Sequence, residues 1–225
     1  MSAPEFTPRP QLAEDVARFV RRRIFNGTYP AGEYIRLDQL AAELGISVTP
    51  VREALFELRG EGLLEQLPRR GFVVLPFTDR DITDVSDLQA HVGGELAARA
   101  AVNIDDAALA ELSVIHDQLA EAYAADDGDR AVRLNHEFHR AINVAADSPK
   151  LAQLMSQITR YAPESVFPTI AGWPTRSVTD HARILTALRA HDADAARAAM
   201  SDHLAAGAAP LIEHLVSRGV AQKAT

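Results

Sequence analysis

Residues 40–75, LAAELGISVTPVREALFELRGEGLLEQLPRRGFVVL, decide the fold of the first third of the chain. Apolar residues first recur at helical spacing, and this pattern ends at Gly45. Pro50 suits the first turn of a second short helix, whose apolar face continues up to Gly60. Two short apolar segments then flank the turn 68–71, which predicts a β-hairpin with a basic tip.

A further helix is predicted upstream, over about 12–24, and its pattern stops at Gly27. Three helices followed by a hairpin are the order of a winged helix-turn-helix, so we predict this fold for residues 1–76. The first helix carries three successive arginines, Arg21, Arg22 and Arg23. They form either a solvated charged face or contacts to DNA phosphate, and the sequence leaves both readings open.

Residues 77–225 are predicted to form an all-α antiparallel helical bundle. Strand signals disappear beyond Pro76, and apolar residues recur at helical spacing in long, alanine-rich segments. We predict one continuous helix over about 193–216 and a break over 161–175, where three prolines oppose a continuous helix. The fold class is therefore mainly α, with a winged helix followed by a helical domain.

The distribution of charge separates these two parts. Residues 1–76 contain ten arginines and ten acidic residues, so the net charge of −8 lies entirely in residues 77–225. A neutral first part with clustered arginines can still present a basic face to phosphate. The absence of cysteine excludes disulfides and thiol catalysis. No segment approaches the roughly 20 apolar residues of a membrane span, so we predict a cytoplasmic protein with no membrane partner.

The start of the predicted helix after Gly45 carries the residues suited to reading DNA. In a helix-turn-helix, the second helix places its N-terminal side chains on base edges in the major groove. Ser47 and Thr49 at this end suit phosphates or base edges, and Arg52 can make a bidentate contact with guanine.

The quoted stretch resembles the DNA-binding domain of the GntR family of bacterial regulators, over essentially all of residues 12–76. The resemblance implies DNA contacts from the recognition helix, from the wing and from a position just before the second helix: Ser47, Thr49, Arg52, Arg69, Arg70, Gly71 and Arg36. One departure concerns Val48, because family members usually carry arginine there. We expect one phosphate or base contact to be missing, or to be replaced by a methyl contact to thymine.

All eight histidines lie after residue 90, and some of them suit a metal site. Asn135 and His139 are four residues apart, so they lie on one face of a predicted helix. His181 and His203 lie on two later helices. Together these four residues could bind a divalent metal in the core of the bundle, whereas the alternative reading is ordinary core or surface histidines.

Residues 78–216 resemble the FCD effector-binding domain of the FadR subgroup, in which many members bind a metal through one aspartate and three histidines. The resemblance implies metal ligation by Asn135, His139, His181 and His203, with the metal (zinc, nickel or manganese) left open. Asn135 replaces the usual aspartate, which should weaken metal binding because an amide oxygen is neutral. His91 stands where the family tends to have arginine and is assigned to the effector, which the resemblance implies is a small organic acid. The other histidines, His116, His191 and His214 among them, are treated as surface or packing residues.

These observations predict a sequence-specific transcriptional regulator, a repressor, that binds double-stranded operator DNA as a homodimer and responds to a small carboxylate. The chain is not expected to be an enzyme. The alternative hypothesis is a metal-dependent hydrolase with a nucleic-acid-binding domain, and no HExxH motif supplies the general base that such an enzyme needs. A plain helical interaction module would leave the recognition-helix motif unexplained.

Overall fold

The structure, a computed structural model, describes residues 10–68, 70–161 and 164–224. It forms two compact units. The first contains the described residues up to Thr78 together with Ser217–Gln222, and the second contains those of Asp79–Val216 and the chain from Lys223. The first unit therefore ends two residues beyond the predicted boundary, and it includes a C-terminal segment that the sequence pattern did not assign to it.

Three helices and three strands make up most of the first unit: α1 (Pro10–Phe25), β1 (Tyr34–Ile35), α2 (Leu37–Leu44), α3 (Val48–Gly60), β2 (Leu64–Leu67) and β3 (Gly71–Val74). β3 lies between β1 and β2 and pairs antiparallel with both. Val20, Leu55 and Phe72 lie fully buried where the helices meet the sheet. The predicted winged helix-turn-helix is confirmed. Strand β1 was missed, because two residues are too short to show alternation.

A second, smaller sheet also belongs to the first unit. Phe77–Thr78 (β4) pairs in parallel with Ala221–Gln222 (β5), although no strand was predicted beyond Pro76. Val220 and Ala221 are buried, so the segment contributes to packing as well as to hydrogen bonding. The pairing joins residues more than 140 positions apart, and a local sequence pattern carries no signal for such a contact.

The described residues of the second unit form seven α-helices and a 3₁₀-helix at Glu164–Thr169. The α-helices are α4 (Asp79–Asn103), α5 (Asp106–Ala124), α6 (Gly128–Ala145), α7 (Pro149–Thr159), α8 (Trp173–Arg189), α9 (Ala193–Ala205) and α10 (Ala208–Ser217). The prediction of a helical second domain is confirmed. Its core contains Leu96, Phe138 and Ile184, all fully buried.

Two helix boundaries differ from the predicted ones. The single helix predicted over 193–216 is divided into two helices in the structure: α9 ends at Ala205, and α10 begins at Ala208. Gly207 lies at this break, where an added Cβ atom would be 3.2 Å from the Phe167 ring. α8 begins at Trp173, inside the predicted break, because Pro174 lies in the first turn, where its missing N–H leaves no hydrogen bond unmade.

Helices α4 and α9 run antiparallel in close contact. The Oγ atom of Ser201 donates to the Ala90 carbonyl at 2.9 Å, and Arg197 pairs with Glu95 at 2.7 Å one turn further along. Gly93 and Gly94 lie at this contact, where added Cβ atoms would collide with side chains of α9. Because these two glycines have no side chains, α9 can pack this closely against α4.

Candidate nucleic-acid interface and candidate metal centre

The N-terminus of α3 presents three polar side chains to solvent. Ser47 is the N-cap residue in extended conformation, and its hydroxyl makes no capping hydrogen bond. Thr49 and Arg52 in the first turns are also exposed. None of these side chains has an ion pair or hydrogen-bond partner among the described residues. They are free to contact a partner molecule, as the recognition role requires.

Val48, which stands where the family pattern has arginine, is half-buried and packs against the apolar core of the first unit together with Ile46. Part of its surface is therefore used inside the protein. The remaining exposed part is compatible with the expected methyl contact to thymine, which stays a prediction.

Arg36 and Arg70 are brought together by the sheet. Both are exposed, and together with Tyr34 they line one open depression in the surface. Neither guanidinium forms an ion pair within the described part of the chain. The sequence could not predict this juxtaposition, because it depends on β1 pairing with β3. Arg69, also expected to contact DNA, lies outside the described residues.

Gly71 acts through the backbone. Its φ of +96° lies in the left-handed region, and a Cβ atom there would be 2.7 Å from the Ile35 carbonyl oxygen. Only glycine adopts this conformation without strain while allowing such a close approach. The geometry of the turn therefore explains why glycine stands at position 71, where β3 begins.

The arginines of α1 are used mostly inside the first unit. Arg21 forms a two-point ion pair with Glu61, with N–O distances of 2.6 and 3.1 Å and little solvent exposure. Arg23 pairs with Glu43 at 2.8 Å and lies over the Phe19 ring. Arg22 is exposed. Arg21 and Arg23 thus form ion pairs within the first unit, and contact of these arginines with DNA phosphate stays a prediction.

His139 on α6, His181 on α8 and His203 on α9 come together in the second unit. Their ligand atoms all lie within 4.8 Å of one another. His181 is fully buried and His203 nearly so. Part of His139 reaches the surface, but its ring is enclosed by neighbouring rings. The tertiary structure thus joins three of the four predicted ligands in one cluster, which we call the histidine cluster.

The spacing and protonation of these rings suit a divalent metal. The Nε2 atoms of His181 and His203 are 3.3 Å apart, close to the separation of about 3.3 Å for two ligands at about 2.0–2.1 Å in tetrahedral geometry. Burial lowers the pKa of His139 to about 3 and that of His181 well below its ordinary value. Both rings are therefore neutral near pH 7 and offer lone pairs, as metal ligation requires.

Asp180 lies beside this cluster and was not identified from the sequence. Its Oδ2 atom lies 3.5 Å from Nδ1 of His203, and Arg176 and Arg183 lie 3.4 and 3.7 Å from its oxygens. His203 is the main cause of the lowered pKa of Asp180, and the two arginines add to it. No hydrogen bond joins Asp180 Oδ2 and His203 Nδ1 in this structure, so the contact is an electrostatic one between a buried carboxylate and the His203 ring.

Asn135 and His91 are the two remaining predicted residues of this domain. Asn135 is half-buried one turn before His139, and its amide has no hydrogen-bond partner in the described chain. His91 is exposed on α4, and its ring is absent from the ring contacts that connect the histidine cluster within the described residues. The assignment of His91 to the effector stays a prediction.

His116, treated as a surface or packing residue, lies beside the cluster. Its ring centroid is 6.3 Å from that of His181, and its Nδ1 atom is buried without a partner. The buried side-chain atoms that lack hydrogen-bond partners among the described residues are all found here, on α5, α8 and α9: His116 Nδ1, Ser177 Oγ, Asp180 Oδ2, His181 Nδ1 and His203 Nδ1. Such a concentration is unusual in a folded protein and indicates a binding site.

Comparison with known proteins assigns a family to each part. Residues 12–74 match the profile of the bacterial regulatory proteins of the gntR family, and residues 84–206 match the FCD domain. Within the described residues, none of the helices has the length and apolar character needed to cross a membrane.

Individual proteins similar to this chain are also transcriptional regulators. The uncharacterized HTH-type transcriptional regulator YdhC of Bacillus subtilis (strain 168) is 31% identical over 143 residues, which cover 62% of each chain. The probable D-xylose utilization operon transcriptional repressor of Paenarthrobacter nicotinovorans is 29% identical over 201 residues, or 88% of each chain. The solved structure of E. coli McbR/YncC superposes with a TM-score of 0.74 at 25% identity, covering 90% of this chain and 98% of that one.

Proposed function

Because the chain belongs to the GntR family of bacterial transcriptional regulators with an FCD domain, we propose that it is a repressor whose operator affinity is controlled by a small carboxylate. DNA binding is assigned to residues 1–76, and effector binding and dimerisation to residues 77–225. The observation that carries the effector half of this proposal is the buried cluster of three histidines.

The proposal of DNA binding rests on exposed arginines of the first unit that form no ion pair among the described residues. Arg52 at the start of α3 would read a base edge in the major groove, with Ser47 and Thr49 beside it. Arg36 and Arg70 would contact the phosphate backbone on the wing side of the same unit. A homodimer would present two such surfaces to a two-fold symmetric operator.

The effector half rests on the histidine cluster. His139, His181 and His203 would hold a divalent ion such as zinc, nickel or manganese, with Asn135 as a fourth, neutral ligand. A bound ion would supply the positive charge that attracts an effector carboxylate. Asp180, whose Oδ2 atom lies 3.5 Å from Nδ1 of His203, would orient that ring from the side away from the ion. Effector binding would favour a state of lower operator affinity, which releases the DNA.

The hydrolase alternative finds no support. The relatives are transcriptional regulators, and both domain matches are to domains of such regulators. The chain is therefore a regulator and not an enzyme.

The DNA half is tested with an operator selected from random duplexes. Arg52→Ala should abolish the discrimination between operator and scrambled DNA, because a bidentate base contact contributes about 1–3 kcal/mol. Arg70→Ala should weaken binding to both duplexes and flatten the log–log salt dependence by about 0.9 for each phosphate that is no longer neutralised. The exposed Arg80 on α4 provides a matched Arg→Ala control. Unchanged discrimination by Arg52→Ala would refute the assignment.

The metal half is tested by native mass spectrometry with elemental analysis of protein purified without chelator. Each His→Ala change in the histidine cluster should remove most of the metal, and Asn135→Asp should raise metal affinity by restoring a charged oxygen. If the wild type holds no divalent metal and Asn135→Asp gains none, the metal proposal fails.

A further inference from the structure

An exposed aromatic side chain stands on the small sheet of the first unit, and the proposed DNA contacts do not include it. Tyr34 on β1 is 45% exposed, whereas the next residue, Ile35, is buried in the core. The Tyr34 hydroxyl has no hydrogen-bond partner among the described residues. An exposed ring with an unpaired polar end is suited to contact with a partner molecule.

The extended backbone of β1 places Tyr34 beside Arg36. Side chains two residues apart in a strand lie on the same face, with a rise of roughly 6.5 Å between them. Arg36 continues the extended conformation, with φ −99° and ψ 130°, and it is exposed like Tyr34. The two side chains therefore share the solvent face of the sheet, while Ile35 between them lies in the core.

Strand β3 adds Arg70 to these two side chains. β1 and β3 pair antiparallel, so Gly71 at the start of β3 comes opposite Arg36. A Cβ atom on Gly71 would lie 3.6 Å from the Arg36 Cα atom, which is van der Waals contact. Arg70 is the neighbour of Gly71 in the chain, and Tyr34, Arg36 and Arg70 line one open depression. The pairing of the two strands thus brings three polar side chains to one place on the surface.

The depression combines two positive charges with one neutral donor. Neither Arg36 nor Arg70 forms an ion pair among the described residues. Within the three strands the acidic residue is Glu65 on β2, which lies two strands from Tyr34, a distance of roughly 10 Å. Guanidinium groups only donate hydrogen bonds, and a phenol hydroxyl donates one without carrying a charge. These donors match a phosphate, whose oxygens accept hydrogen bonds and carry negative charge.

We propose that Tyr34, Arg36 and Arg70 together hold one phosphate of the operator backbone, with the Tyr34 hydroxyl as the uncharged donor. We call these three residues the phosphate cradle. The inference rests on the proposed DNA-binding function and adds Tyr34, which the family resemblance does not assign to DNA. Phosphate contacts fix the register of a protein on the duplex and carry no sequence information themselves. The cradle would therefore position the first unit, while Arg52 reads the bases.

The Tyr34 hydroxyl is tested with Tyr34→Phe, which removes only that group, and Tyr161→Phe in the second unit is the matched control. Binding of the full-length protein to operator and to scrambled duplex is measured at several salt concentrations. Tyr34→Phe should weaken binding to both duplexes about tenfold, because a hydrogen bond to a charged group is lost. It should leave the log–log salt slope unchanged, because a phenol displaces no counterion, whereas Arg36→Ala should also flatten the slope. Tyr161→Phe should behave like the wild type.

A scan of operator duplexes, each with one phosphate replaced by an uncharged methylphosphonate, tests whether the three residues share a phosphate. At one position, Tyr34→Phe, Arg36→Ala and Arg70→Ala should each lose most of their effect on affinity, and they should keep it at the others. Wild-type affinity of Tyr34→Phe, a changed ratio of operator to scrambled affinity, or variants that respond to different phosphates would each overturn the cradle and leave the DNA-binding proposal intact. If the wild type binds neither duplex in a salt-dependent manner, the DNA-binding proposal fails, and the cradle with it.

Discussion

The Nδ1 atom of His203 lies 3.5 Å from the Oδ2 atom of Asp180, and the opposite edge of the same ring faces His181. We therefore expect this buried carboxylate to orient the His203 ring when a metal binds at the opposite edge. Asp180→Asn keeps the shape of this side chain but removes its charge. We expect a 10- to 100-fold loss of metal affinity, as is typical when a group behind a metal ligand is changed.

Isothermal titration of the chelator-treated protein with zinc and manganese measures this effect. Asp194→Asn on α9 is the control, because Asp194 is exposed and pairs with Arg197, which makes no described ion pair with Asp180. Equal metal affinities of Asp180→Asn and wild type would show that the carboxylate does not orient His203.

The stability of the metal-free protein should fall as the solution becomes acidic from about pH 6.5. The folded state holds the pKa of His139 at about 3 and also lowers that of His181, whereas an unfolded histidine titrates near 6.5. Between these values the unfolded state binds protons that the folded state does not. The free energy of unfolding should therefore be highest above pH 6.5 and should decrease by up to about 1.4 kcal/mol per pH unit for each buried histidine below it.

Urea unfolding between pH 7.5 and 5.5 measures this slope in chelator. His139→Gln should make the slope shallower by removing one of the two groups. Val144→Gln on the same helix, at a valine that is 67% exposed, introduces no titrating group, is the control, and should leave the slope unchanged. A pH-independent free energy of unfolding in the wild type would contradict the buried, neutral state of these rings.

Gly71→Ala should destabilise the first unit by about 1–3 kcal/mol. The cost arises from a positive φ and from a Cβ atom that meets the Ile35 carbonyl. Gly60→Ala is the control, since Gly60 is helical and an added Cβ atom meets nothing within 4 Å. It should be neutral or stabilising by up to about 1 kcal/mol. Chemical denaturation of both variants distinguishes them, and similar midpoints would argue against the backbone role of Gly71.

Val220→Ala should loosen the first unit although the substitution is near the C-terminus. Val220 is buried and packs beside Gly27, so the loss of two methylene-sized groups should cost about 1.5 kcal/mol. Hydrogen exchange should show faster exchange of amides in residues 10–78. Val102→Ala, at a valine that is 68% exposed, is the control. Unaltered protection in residues 10–78 would mean that the C-terminal segment contributes nothing to this unit.

The sequence by itself determined the winged helix, the helical second unit and the residues at the start of α3. Local periodicity specifies a helix wherever an apolar face repeats, and turn residues mark its ends. Ser47, Thr49 and Arg52 could be found because a helix-turn-helix places its reading side chains at a fixed position of a single helix. The three clustered histidines were also found, although their convergence was implied by resemblance and not by spacing.

Only the tertiary structure decided which polar groups meet across elements. Arg21 pairs with Glu61, which lies 40 positions away. Asp180 gained its role from a helix that packs against α8, and β5 found its partner strand at the other end of the chain. The physical reason is that burial and pairing depend on distances between segments, whereas a sequence pattern reports only the local conformation of each segment.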